Sequence, residues 1–213
     1  GVDPSLAPDA GNPAGVSSGG ALAGVAATAN VVARNATLSG AAVTEAGSTS
    51  NVTLIDSTWT LTGNSNITTL VNDPSLIDFT APQAGAYKTL TVRNYSGDGV
   101  IALNTFLGTD SSPSDKLVID GGSATGASQL RIKNTGGPGA LTTASGIQVV
   151  EVVNGGVSGA GAFALSGRAV AGPYEYRLYQ GSAAAPTDQS WYLRSEKEPE
   201  PPPGPPTPPV PPG

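Results

Sequence analysis

Four aspartates are the residues of this 213-residue chain best placed, by type and spacing, to do chemistry: Asp98, Asp110, Asp115 and Asp120. Paired carboxylates can act as general acid and base on a glycosidic bond, and clustered ones can hold a hard cation. Each of the four, however, lies among Gly, Ser or Thr in a turn-like stretch, where Asp accepts backbone N–H bonds. None follows the alternating spacing of a calcium loop, so turn aspartate is the reading adopted. The chain has no Cys, His or Met. That removes disulfides, thiolate nucleophiles, His-based triads and the usual zinc sites, and no cofactor is implied. Ser and Thr are plentiful, but no base is placed to activate one. Gly136–Gly139 and Gly155-Gly156 lack the Lys-Ser/Thr that completes a phosphate loop. Trp191 reads as core, whereas Trp59, between Thr58 and Thr60, is open to a stacking or adhesive role. Asn35, Asn51, Asn66 and Asn94 open N-x-[ST] sequences, read here as strand and turn composition.

Charge narrows the partners. The formal net charge is -6, and the ten Lys and Arg residues form no run, which argues against a nucleic-acid ligand. No apolar stretch approaches the roughly 20 residues needed to cross a bilayer as a helix, so no direct membrane insertion is expected. Residues 1–15 lack the basic and apolar regions of a signal peptide, and the expectation is a mature or excised piece of a longer secreted protein.

The elements that must position any site are short β-type runs between turn residues, from about residue 50 to 195. Gly63-Asn64-Ser65, Asn72-Asp73-Pro74, Ser96–Gly99, Gly121-Gly122 and Gly136–Gly139 punctuate them. No helical period survives for ten residues. Each run offers two or three inward aliphatics: Leu90/Val92, Ile101/Leu103, Leu117/Ile119, Leu130/Ile132 and Ile147/Val149. Such a narrow interior, with Gly/Asn/Asp corners, is what stacked coils require, because no coil buries its aliphatics alone. The expected fold is all-β, a parallel β-helix of uneven coil length spanning 49–195. Tyr174, Tyr176, Leu178, Trp191 and Leu193 alternate in two adjoining strands and are expected to form a hairpin-like cap and folding nucleus. Residues 1–48 are expected to be an irregular Gly/Ala/Ser-rich flank, with partial coils as the alternative. Residues 196–213 are expected to be a polyproline linker, since ten of the last fifteen residues are Pro.

Tyr87–Gly122 (YKTLTVRNYSGDGVIALNTFLGTDSSPSDKLVIDGG), with SQLRIKNTGGPGALTTASGIQVVEV (Ser128–Val152), YEYRLYQG (Tyr174–Gly181) and SWYLRS (Ser190–Ser195), resembles the C-terminal passenger region of type V autotransporters. The resemblance implies a right-handed parallel β-helix whose last part, about 85–195 here, is an autochaperone segment that folds first and templates the rest. It also implies two partners, preceding passenger coils and a C-terminal membrane β-barrel, and a bacterial-surface or secreted location. A non-enzymatic role in folding and secretion is the first functional reading. Direct contact with host cells or glycans is the second, and a carbohydrate-active β-helix enzyme the third.

Overall fold

The computed structural model describes residues 25–197; residues 1–24 of the expected flank and 198–213 of the expected linker lie outside them, and the linker's first two residues belong to the last strand. Their strands are β1 (Thr28–Arg34), β2 (Thr37–Gly40), β3 (Thr49–Ile55), β4 (Thr58–Leu61), β5 (Ser65–Asp73), β6 (Leu76–Phe79), β7 (Thr89–Gly97) and β8 (Val100–Thr105). There follow β9 (Lys116–Asp120), β10 (Ser123–Gly126), β11 (Ser128–Asn134), β12 (Ile147–Val153), β13 (Val157–Ser158), β14 (Phe163–Leu165), β15 (Ala169–Ala171), β16 (Tyr174–Gln180) and β17 (Trp191–Lys197). One sheet runs β1-β3-β5-β7-β9-β12-β17-β16-β15, with β10 and β13 branching from β7. The other runs β14-β11-β8-β6-β4-β2. Every pair up to β14 is parallel, so the chain climbs as a parallel β-helix, right-handed as the crossover rule for parallel strands requires.

Register makes the interior a set of columns. In the second sheet Leu38, Trp59, Ile77, Ile101, Leu130 and Leu165 lie directly above one another. In the first sheet Leu90, Leu117 and Val150 form one column, and Ile67, Val92, Ile119 and Val152 a second. A third passes from Leu70 through Tyr95 and Ala124 to Ser158. Most of these side chains are fully buried, each worth about 1.5–3 kcal/mol against exposure, and each depends on the coil above and below.

The coils already begin in the stretch expected to be irregular, because β1 and β2 form a first rung. Its interior is thin, since Ala33 is the buried residue of β1, Leu38 is half-buried, and Val31 and Val32 are exposed. Serine hydroxyls join the corners instead. Ser48, Ser57 and Ser65 Oγ accept from the backbone N–H of Ala27, Ala36 and Ala42 at 3.2, 3.1 and 3.0 Å. Asn35 and Asp56 turn corners in the left-handed region, at φ 49° and 47°, where short polar side chains are tolerated.

Coil length changes along the axis. Thr28 aligns with Thr49, Asn51 with Thr69, Thr69 with Asn94, Thr89 with Lys116 and Leu117 with Val150, offsets of 21, 18, 25, 27 and 33 residues. Much of the growth falls at one corner, where the segments between sheets lengthen from 62–64 to 80–88, 106–115 and 135–146. These loops stack beside one another as a ridge leading to the C-terminal end.

Candidate functional site

Chain direction reverses at the C-terminal end. β17 pairs antiparallel with β12, β16 antiparallel with β17, and β15 antiparallel with β16. Antiparallel strands cannot continue a parallel solenoid, and the last edge, β15, is only three residues long. This end is closed. At the other end β1 is seven residues long and terminates its sheet, with no described residue pairing on its outer side. Val25, Val31 and Val32 are exposed there.

Inside the cap, Tyr176, Trp191 and Leu193 are buried, while Tyr174 and Leu178 are half-buried against the core. Leu178 faces Leu193, Tyr176 faces Ser195 and Gln180 faces Trp191. The two strands are joined by the long segment 181–190 rather than a tight turn. Trp191 packs edge-on against Phe163 at 5.6 Å, and Phe163 stacks on Tyr95 at 5.9 Å, so aromatic contact reaches three coils deep. The Trp191 indole N–H donates to Ser158 Oγ at 2.9 Å, which places its polar edge at the foot of the Leu70–Ser158 column. The Tyr176 hydroxyl donates towards Gly108 O (2.8 Å) and Ala140 O (3.1 Å) and accepts from Ala140 N (3.0 Å). Burial pushes the phenols of Tyr95 and Tyr176 above the ordinary tyrosine range.

Of the residues read as core, Leu90, Val92, Ile101, Leu103, Leu117, Ile119 and Leu130 are fully buried and Ile132 is half-buried. Ile147 and Val149 are buried too, yet Val150 and Val152 are the residues in register with Leu117 and Ile119. A β-bulge between Gln148 and Val150, opposite β17, shifts the alternation and turns two consecutive valines inward. Trp59 is only 5% exposed and donates to Gly40 O at 3.0 Å, so it is a core residue and not an exposed stacking platform.

The aspartates separate. Asp98 and Asp120 are exposed. Asp115, read as a turn residue bonding locally, is instead completely buried and ties coils together. Its Oδ1 accepts from Lys88 N at 2.8 Å, and its Oδ2 accepts from Asn104 N (2.8 Å) and Nδ2 (2.7 Å). Asn104 Nδ2 also donates to Phe79 O and Thr80 O, so this pair closes the roots of two ridge loops. Asp110 also accepts from a distant segment, receiving the N–H groups of Thr143, Ala144 and Gly146 at 2.7, 2.9 and 2.7 Å. Burial pushes its carboxyl upward, but those three N–H groups outweigh burial and leave it below the ordinary aspartate range. Among the described residues no three acidic side chains converge to hold a metal ion. Among the described residues the arrangement leaves the sheet edge at β1 free and the opposite end sealed.

Sequence reasoning passed over Tyr95, Phe163, Ser158, Asn104 and the reach of both aspartates. The alternation of β7 breaks at Arg93 and Asn94, so inward positions step from Val92 to Tyr95, and simple alternation assigns Tyr95 to the outside. The signal that could have flagged Asp115 is its place just before the buried run Leu117/Ile119, where a solvated turn residue is less expected.

Comparison with known proteins places this geometry. Residues 65–178 match the Autochaperone Domain Type 1 family. The adhesin BmaC autotransporter of Brucella suis biovar 1 is 44% identical over 119 residues, covering 51% of this chain and 3% of that protein. The autotransporter adhesin AIDA-I of Escherichia coli is 37% identical over 112 residues, covering 52% of this chain and 8% of that protein. The chain therefore spans a small part of these relatives. In fold it is similar to the Haemophilus influenzae Hap adhesin, with a TM-score of 0.61 and 23% identity over 79% of this chain and 17% of that one.

Proposed function

The chain belongs to the Autochaperone Domain Type 1 family, and from that premise we propose that it is the segment of an autotransporter passenger that folds first and templates the coils added to its open end. The role is non-enzymatic and lies at the bacterial surface, after passage across the outer membrane. One observation carries it: one end is closed by antiparallel aromatic strands, and at the other the seven-residue edge of β1 has N–H and C=O groups that no described strand pairs. Nucleation is the costly step in a stacked-coil protein, and each later coil needs only its neighbour. A terminus already sealed by Trp191, Leu193 and Tyr176 supplies that step. The partners of this reading are preceding passenger coils, pairing on β1 and β2, and the passenger's own C-terminal β-barrel.

Deleting residues 88–195 from the full-length autotransporter tests it. Loss of folded passenger from the cell surface, with the barrel still inserted, is expected. Normal display with lost adherence would transfer the role to direct host contact, and normal display with lost glycan cleavage would transfer it to catalysis.

A further inference from the structure

Closing one end orders the remaining coils only if order passes from the cap along the axis. The ridge loops provide the path. Loop 135–146 sits on the cap: Ser195 Oγ donates to Ala140 O (2.7 Å), Thr142 N donates to Ser195 Oγ (2.8 Å), and Ser195 N donates to Thr142 Oγ1 (3.0 Å). Arg194 Nε, on the outer face of β17, donates to Ser145 O at 3.0 Å. The next loop, 106–115, meets loop 135–146 through Asp110, through Ser111 N donating to Gly146 O, and through Gly139 N donating to Leu107 O. Its far end is fixed by Asp115, which reaches Lys88 and Asn104 and so the preceding coil.

We propose that Asp110 is the positioning residue of this relay: its carboxylate, accepting three N–H groups, holds the cap-seated loop 135–146 against loop 106–115 and thereby passes order from the cap to the earlier coils. This inference rests on the folding role proposed above. The three donors lie within four consecutive residues, Thr143 to Gly146, whose backbone forms a nest for one anion. Loop 135–146 has no inward aliphatic column of its own, and Leu141 is half exposed, so polar contacts rather than burial fix its position. The charged and titratable groups on flanking elements are otherwise engaged. Lys116 bonds Gln148 and faces Glu151, Arg194 bonds Ser145 O and Gly181 O, and Tyr192 bonds Asp188. Asp110 is held below the ordinary aspartate range by the N–H groups it receives, so the relay is charged at neutral pH.

The test is pulsed hydrogen exchange, read by mass spectrometry, during refolding of the full chain as wild type and as Asp110→Asn. In the wild type β12, β16 and β17 are expected to become protected first and β5–β8 later. Asp110→Asn is expected to leave the cap strands at their wild-type rate and delay β5–β8 about tenfold. Wild-type refolding across the carboxylate range supplies a second measurement that needs no variant. The lag between cap and β5–β8 should lengthen as pH falls below about 4, and in Asp110→Asn it should be long at every pH. An unchanged lag in the variant and in acid overturns the relay, as does an equal slowing of cap and coils. Failure of the folding role itself looks different, because β5–β8 would then be protected before the cap in the wild type.

Discussion

Trp59 and Trp191 form a matched pair at opposite ends of one solenoid, and truncating each to Ala should separate nucleation from ordinary core burial. Trp191 is 4% exposed and Trp59 5%, and each indole N–H donates one bond, to Ser158 Oγ and Gly40 O. Removing a buried Trp side chain costs about 3–5 kcal/mol. Trp191 also loses its edge-on contact with Phe163, worth about 0.5–1.5 kcal/mol. For either variant a loss of about 4 kcal/mol lowers Tm by roughly 8–16 °C in a chain of this size. Equilibrium data alone will therefore not distinguish them. Kinetics will. With Trp191 largely packed in the transition state, its loss should slow refolding about a hundredfold at a φ-value of about 0.7. Trp59→Ala should change refolding less than about threefold and express its loss as faster unfolding. Stopped-flow fluorescence of the remaining Trp, with far-ultraviolet circular dichroism as a second probe, measures both rates. Slower refolding in Trp59→Ala than in Trp191→Ala would refute the reasoning.

Three further outcomes are expected. Asp115→Ala strands the N–H groups of Lys88 and Asn104 in a buried site, and urea unfolding should show a loss of about 3 kcal/mol or more. Gly126→Ala places a Cβ against the Gly97 carbonyl at a φ of 98°, so the protein should lose about 1–3 kcal/mol, read as a lower urea midpoint. Stability should also fall at both pH extremes. The depressed Asp110 carboxyl contributes stability that is complete above the unfolded value of about 3.9 and is lost as pH falls through its lower folded value. The raised phenols of Tyr95 and Tyr176 contribute stability that is complete below about 10 and is lost as pH climbs through their higher folded values. Tm measured across pH, with Asp110→Asn flattening the acid limb and Tyr176→Phe the alkaline one, checks both.

The solenoid interior was legible because Leu90/Val92 and Leu117/Ile119 alternate with less buried neighbours, and burial on one face of a strand writes itself as a period of two, whereas in β8 Ala102 and Asn104 are buried along with Ile101 and Leu103. The cap strands were legible for the same reason. What escaped were departures from that period. The break in the alternation of β7 brings Tyr95 inside, the bulge in β12 turns in Val150, and corner serines help join the first coils, whose β1 buries only Ala33. Asp110 and Asp115 were misjudged because a carboxylate bonding its own turn and one bonding a loop some thirty residues away share the same local sequence. Only the stacking of coils distinguishes them.

Native-state hydrogen exchange in rising, sub-denaturing urea tests most directly whether this protein is anchored at its C-terminal end. The amides of β9, β12, β16 and β17 should exchange only through global unfolding, while β1–β4 open first at lower free energy. Amides of β1–β4 that hold as long as those of β16 and β17, or a cap that opens before them, would contradict the account.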